Sequence, residues 1–171
     1  VEVVVDKSLN TFDYPLAGFG NEGYCLKVSP DAITITVAEP IGVVRAAQTL
    51  HQLALGTEDN GQIEALTLTD FPAFKVRGVM HDVGRSFIDI EELKRQIDLL
   101  AQFKVNVFHW HLTENQAWRF EVKAFPQLTS ATSMTRFPGK FYTQAECHAL
   151  EEYAFERGVT IIPEIDMPGH S

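Results

Sequence analysis

The stretch "VRGVMHDVGRSFIDIEELKRQIDLLAQFKVNVFHWHL", residues 76–112, decides how this chain folds. "VRGVMHDV" is a mostly apolar run of strand length. Asp89 and Glu92 then open a helix whose residues Ile90, Leu93, Ile97 and Leu100 share one face. "VNVFHWHL" is a second strand. Further on, Thr143 and Glu146 form an S/T-x-x-E capping box for a helix running through Leu150 and Tyr153 to a stop at Gly158, and "VTIIPEI" is a third strand. Strands alternating with helices predict an α/β fold of parallel strands joined by right-handed crossovers, in either an open doubly wound sheet or a (β/α)8 barrel. No G-x-G-x-x-G or Walker loop follows any strand, which removes the strongest argument for a nucleotide-binding fold.

Upstream, "YCLKVS" and "AITITVA" alternate with period two around Pro30 and Asp31, a hairpin signal. Residues 41–55 place Val43, Ala47, Leu50 and Ala54 at helical spacing before Gly56, and "IEALTLT" follows a turn at Asn60 and Gly61. Residues 1–70 thus predict a small α+β domain, and "DFPAF" separates it from the β/α region at 71–171. The 171 residues are 45% apolar, enough for a packed core. Fourteen basic residues against 23 acidic ones give a net charge of −9, which argues against a nucleic-acid partner. Cys25 and Cys147 fit no metal or redox spacing and are expected to be buried free thiols. No apolar run approaches the roughly 20 residues that span a bilayer, so no membrane partner is expected. "VEVVVDKSLN" lacks the features of a signal segment, which leaves the compartment open.

Barrel enzymes gather reacting side chains at the C-terminal ends of their strands, and the unusual residues here collect after each predicted strand. They are His81, Asp82 and Arg85; then His109, Trp110, His111 and Glu114; then Glu164, Asp166 and His170. The loop after the second strand is about 30 residues long, far above the usual 2–6, and carries Trp118, Phe120, Phe125, Phe137 and Phe141. It reads as an aromatic cleft wall or as rings that pack the loop down. His109 and His111 point to one side of a strand, as metal-binding H-x-H pairs do, or as hydrogen-bonded histidines would. Arg85 can offer a planar fork to vicinal hydroxyls or pair with Asp82. Asp166 and His170 can form a carboxylate–histidine pair or a loop clasp.

"RGVMHDVGRSF", "NVFHWHLTENQAWRFEV", "YTQAECHALEEYAFERGVTIIPEIDMPGHS" and "VRAAQTLHQL" together resemble the β-N-acetylhexosaminidases of glycoside hydrolase family 20. The resemblance implies a (β/α)8 TIM barrel, here partial, preceded by a small α+β domain. It implies removal of terminal N-acetylglucosamine or N-acetylgalactosamine from β-linked glycans, chitooligosaccharides or glycoconjugates, with no metal or cofactor. The implied mechanism retains configuration, the substrate's acetamido oxygen acting as nucleophile. Arg85 matches the family arginine for the hydroxyls at C3 and C4 of the terminal sugar. Asp166 and His170 match the Asp-x-Pro-Gly-His segment beside the acid/base. Trp110 and His111 match the H-W-H strand, with Trp110 and Trp118 as cleft-wall candidates. Glu114 and Asn115 stand where many members carry two aspartates, which lengthens one carboxylate and neutralises the other, and the resemblance implies that Glu114, His111, Asp166 and His170 form the network supporting the acid/base. No Asp in the 171 residues is directly followed by Glu, so the family's catalytic Asp-Glu pair is expected beyond this chain, which is expected to be an inactive fragment. A periplasmic or secreted setting is what the resemblance favours. The alternatives are a metal-dependent barrel hydrolase built on His109 and His111, and a non-catalytic glycan-binding piece.

Overall fold

The computed structural model describes residues 1–11, 21–56 and 62–171. They divide into two compact units, Val1–Val76 with Gln102–Lys104, and Arg77–Ala101 with Val105–Ser171.

In the first unit, β1 (Glu2–Val5), β2 (Tyr24–Val28), β3 (Ile33–Val37) and β4 (Leu66–Asp70) form one sheet in the order β1-β3-β2-β4. The expected hairpin is β2–β3, paired from Val28↔Ile33 to Tyr24↔Val37 and closed by Ser29 Oγ on the Ala32 carbonyl, 2.9 Å. The expected turn at Asn60–Gly61 lies outside the described residues. Strand β1, which sequence reading did not single out, adds in parallel to β3. Helix α1 (Ile41–Leu55) covers a core of Tyr24, Leu26, Val28, Ile35, Val37 and Ala46. Val43 and Leu50 pack against that core as expected, Gly42, Arg45 and Ala46 are the helix's fully buried residues, and Ala47 is exposed, which corrects that one position. Apolar spacing misses Arg45, which is buried by pairing with Glu22, 2.5 Å. Lys104 joins this unit by donating to Asp70 at 2.6 Å and to Tyr24 at 2.9 Å.

In the second unit, β5 (Gly78–Asp82), β6 (Val107–His111) and β9 (Thr160–Glu164) form a parallel sheet in sequential order. The helices α2 (Ile90–Gln102) and α3 (Gln144–Phe155) provide the crossovers. Both helices start where the capping residues predict: Asp89 Oδ1 accepts the Glu92 amide at 2.8 Å, and Thr143 and Glu146 complete a reciprocal capping box. Leu93 and Ile97 of α2 and Leu150 and Ala154 of α3 pack in one cluster with Phe108 and Trp110 of β6. Both helices therefore lie on the same face of the sheet. A doubly wound sheet reverses strand order and carries helices on both faces. Sequential order with one-sided helices is the winding of a barrel segment, although the described residues close no barrel.

Alternation along the strands assigns Met80, Asp82, Val107, His109, His111, Ile162 and Glu164 to the opposite, helix-free face. Val79 shares the helix-bearing face with Phe108, its register partner, so Met80 is the apolar residue that β5 presents on the opposite face. Both cysteines are free but half-buried, not fully buried as expected. Burial still pushes the Cys147 thiol up to about 12, which keeps it unreactive.

Between β6 and α3 the long loop is not structureless. It contains a two-residue ladder, β7 (Thr113–Glu114) against β8 (Ala117–Trp118), and a single bridge between Phe120 and Tyr142. Phe120 packs on the helix-side core, whereas Phe125 and Phe137 are exposed.

Candidate active site

Parallel register sets the first row of the site. Asp82, His111 and Glu164 are the last residues of β5, β6 and β9 and stand directly beside one another on the helix-free face. One residue pair back, His109 occupies the same face of β6. The Glu164 carboxylate receives both histidines, His109 Nε2 at 2.6 Å and His111 Nδ1 at 2.9 Å. These partners depress the Glu164 pKa, chiefly through the His111 hydrogen bond. For His111, burial pulls the pKa down, but the hydrogen bond and charge of Glu164, with Asp82, outweigh it and leave the imidazole raised.

Loops build a second row above the first. The β7–β8 turn folds back immediately after β6 and buries Glu114. Gly84 makes this possible, since a Cβ there would lie 2.7 Å from the Glu114 Cβ. Arg85 pairs with both Asp82 and Glu114 through separate guanidinium nitrogens, and its amide donates to Asp82 Oδ1 at 3.0 Å. The other partner of Glu114 is His170, through Nδ1, and Glu114 Oε2 accepts the Asn115 amide at 3.0 Å. Burial alone raises the Glu114 pKa, but His170, the Asn115 amide and Arg85 together hold it below the usual carboxylate range.

The expected pairing of Asp166 with His170 is replaced by Glu114–His170. Asp166 instead anchors its loop through its amide, which donates to Thr113 Oγ1 at 2.9 Å. The cleft-wall role expected for Trp110 is also corrected. Flanked by two histidines that face the site, Trp110 must point to the other face, where it is 2% exposed and packs on Tyr142 with ring centroids 4.7 Å apart. Trp118 is half-buried and its indole N–H donates to the Phe120 carbonyl at 2.8 Å. Asp82 pairs with Arg85, one of the two alternatives open to that arginine, and Glu164 belongs to the site although its place after a strand gave it no further role. His81 shares the helix-bearing face with Phe108, 6.3 Å between ring centroids, and lies outside the cluster.

Two groups, Asp82/His111/Glu114 and His111/Glu164/Asp166, bring one ligand-type atom from each residue within 4.8 Å of the others. In the first, Arg85 already pairs with both carboxylates. The H-x-H pair does face one side, as predicted, with a nitrogen of each ring turned onto Glu164. His111 Nε2 is buried without a hydrogen bond among the described residues, 3.6 Å from Glu114 Oε1.

A one-sided β/α sheet with linked acidic, basic and imidazole groups at its C-terminal edge is the ground plan of a barrel-type catalytic module. The chain belongs to glycosyl hydrolase family 20: the sequence model of that family's catalytic domain matches residues 74–171, and that of its domain 2 matches residues 3–71. A β-hexosaminidase of Vibrio furnissii is 42% identical over 86% of this chain and 26% of its own length. One from Porphyromonas gingivalis is 41% identical over 88% of this chain and 21% of its own. Among solved structures, a β-N-acetylhexosaminidase from Bacteroides fragilis superposes with a TM-score of 0.85 at 37% identity, over 98% of this chain and 33% of that one. The exo-β-N-acetylglucosaminidase of Vibrio harveyi, solved with N-acetylglucosamine, gives 0.81 at 38% identity, over 98% and 27%. The chain thus spans about a quarter of the length of the curated relatives it matches.

Proposed function

We propose that this chain supplies the sugar-binding half of a β-N-acetylhexosaminidase that removes terminal N-acetylglucosamine or N-acetylgalactosamine from β-linked glycans. The observation that carries this reading is the Arg85–Glu114–His170 relay above the Asp82–His111–Glu164 row. Arg85 is half-exposed and held at two carboxylates, so its remaining N–H donors are free to meet vicinal hydroxyls in a fixed plane. Glu114 is buried and bonded to His170, so it orients the imidazole beside the group that protonates the leaving oxygen. That acid and the aspartate that orients the acetamido group form the Asp-Glu pair of the family resemblance, a dipeptide absent from these 171 residues. The reading therefore assigns both to further sequence of the same protein, in a closed (β/α)8 barrel. Substrate assistance then replaces the second carboxylate of the ordinary two-carboxylate scheme.

The test is an assay of the complete protein on a chromogenic N-acetyl-β-glucosaminide, with the anomer of the product followed by NMR and a parallel run in chelator. Hydrolysis with retention, unaffected by chelator, is expected. Loss of activity in chelator, restored by a divalent ion, would shift the assignment to a metal-dependent hydrolase on His109 and His111. Glycan binding without hydrolysis would leave a lectin-like role.

A further inference from the structure

Arg119 is the most unusual buried charge in the second unit. It is fully buried, and no carboxylate among the described residues pairs with it. Its five N–H groups meet five backbone carbonyls instead. Nε donates to Val83 at 3.0 Å, Nη2 to Gly84 at 3.2 Å and Arg136 at 2.9 Å, and Nη1 to Phe137 at 3.1 Å and Lys140 at 2.7 Å. The rings of Phe87 and Phe137 lie 5.7 and 5.9 Å from its guanidinium carbon. Backbone bonds fix its own position, its amide on the Leu112 carbonyl at 2.9 Å and its carbonyl under the Tyr142 amide at 2.7 Å.

Burying a guanidinium without a counter-charge is costly, and an apolar residue would fill a merely structural position more cheaply. What Arg119 alone supplies is a rigid planar fork with five donors in fixed directions. Two of its acceptors, Val83 and Gly84, are the residues immediately before Arg85, and Gly84 is the one pressed against Glu114. The other three belong to segment 136–140 of the long loop, where Phe137 is held at φ 47°. A bulky residue in the left-handed region persists only where its surroundings impose it. From this segment Arg136 Nη1 reaches back to the Arg85 carbonyl at 3.3 Å.

We propose that Arg119 is a positioning residue for Arg85: by gathering the carbonyls of Val83, Gly84, Arg136, Phe137 and Lys140 it clamps the long loop onto the turn that aims the sugar-binding guanidinium and seats Glu114. Arg119 never touches the ligand. Its effect on sugar binding passes through Arg85, and this part of the inference rests on the hexosaminidase reading, whereas the clamp itself does not.

Two readouts on the complete protein separate the two. The first is residue-level hydrogen exchange in wild type and Arg119→Lys. Faster exchange at residues 83–86 and 136–140, with α2 unchanged, is the expected signature of a released clamp. Unchanged exchange at 83–86 overturns the proposal whatever the activity. The second is a kinetic cycle with Arg85→Lys. Arg119→Lys is expected to raise KM about ten-fold, the size of one misplaced charge-assisted hydrogen bond, and to change kcat less than about three-fold. On the Arg85→Lys background it is expected to add less than about two-fold, because the group it positions is already impaired. Losses that multiply, or a kcat loss with unchanged KM, would overturn the positioning role. If Arg119→Lys does not fold, native-state exchange of the wild type decides: residues 83–86 and 136–140 are expected to open together, with one denaturant dependence, and independent opening of the two segments contradicts the clamp. An inactive wild type with the exchange pattern intact would discard the hexosaminidase reading and keep the clamp.

Discussion

Glu114 is the residue on which the site turns, because Arg85 and His170 both meet its Oε1. Its seat depends on the absent side chain of Gly84. Gly84→Ala places a methyl against the Glu114 Cβ and backbone, and the expected cost is about 1–3 kcal/mol of overpacking. Thermal unfolding of the variant checks this, and wild-type stability would mean the turn yields easily. The His111–Glu164 pair has a pH signature with a definite sign. His111 is raised above its ordinary 6.5, so its contribution is complete below 6.5 and fades as pH rises through the folded value. Glu164 is depressed below 4.5, so its contribution is complete above 4.5 and fades as pH falls through the folded value. The stability difference between wild type and Glu164→Gln is therefore expected to be largest from about pH 4.5 to 6.5 and to shrink on both sides. A difference that is flat across that range would separate the pair from folding. Residue types and strand ends pointed to this cluster and the resemblance set Glu114 in the network of His170, but residue spacing alone offered Asp166 as the partner. Asp166 is its near neighbour in sequence, whereas Glu114 lies 56 residues away and arrives only through the β7–β8 turn.

Elements were more legible than partners. Capping residues and apolar spacing located α2 and α3, because both helices begin at side-chain hydrogen bonds and bury one stripe. Spacing was less informative where a charged residue is buried, as in α1 with Arg45 and in the long loop with Arg119, since hydropathy treats both as surface. Trp110 shows how much a single step of alternation decides. The sequence H-W-H suggested a site tryptophan, yet period two sends the ring into the helix layer while its neighbours face the site. Trp110→Ala is consequently expected to cost about 3–5 kcal/mol of stability as a core truncation. Denaturant unfolding measures it. A variant of unchanged stability that bound sugar poorly would return Trp110 to the cleft.

For the whole molecule, the sequential strand order and one-sided helices explain why the alternation of strands and helices points to a barrel and not to a doubly wound sheet. Periodicity left that choice open and only the resemblance favoured a barrel, because strand order is a property of pairing and not of periodicity. The helix-free face carries Met80 and Ile162, 56% and 47% exposed, beside the charged row. Residues 1–171 expressed alone are expected to self-associate through that face and to show no turnover. A monomeric, active chain would mean that carboxylates within it perform the chemistry. The hexosaminidase reading stands or falls on the sugar-binding role proposed for Arg85, braced by Asp82 and Glu114. The most direct measurement is the steady-state kinetics of Arg85→Lys in the complete protein on a chromogenic N-acetylglucosaminide, with unfolding followed in parallel. Lysine keeps the charge but loses the fork, so kcat/KM is expected to fall roughly 10- to 100-fold while the fold remains intact; wild-type kinetics in a folded variant would contradict the account.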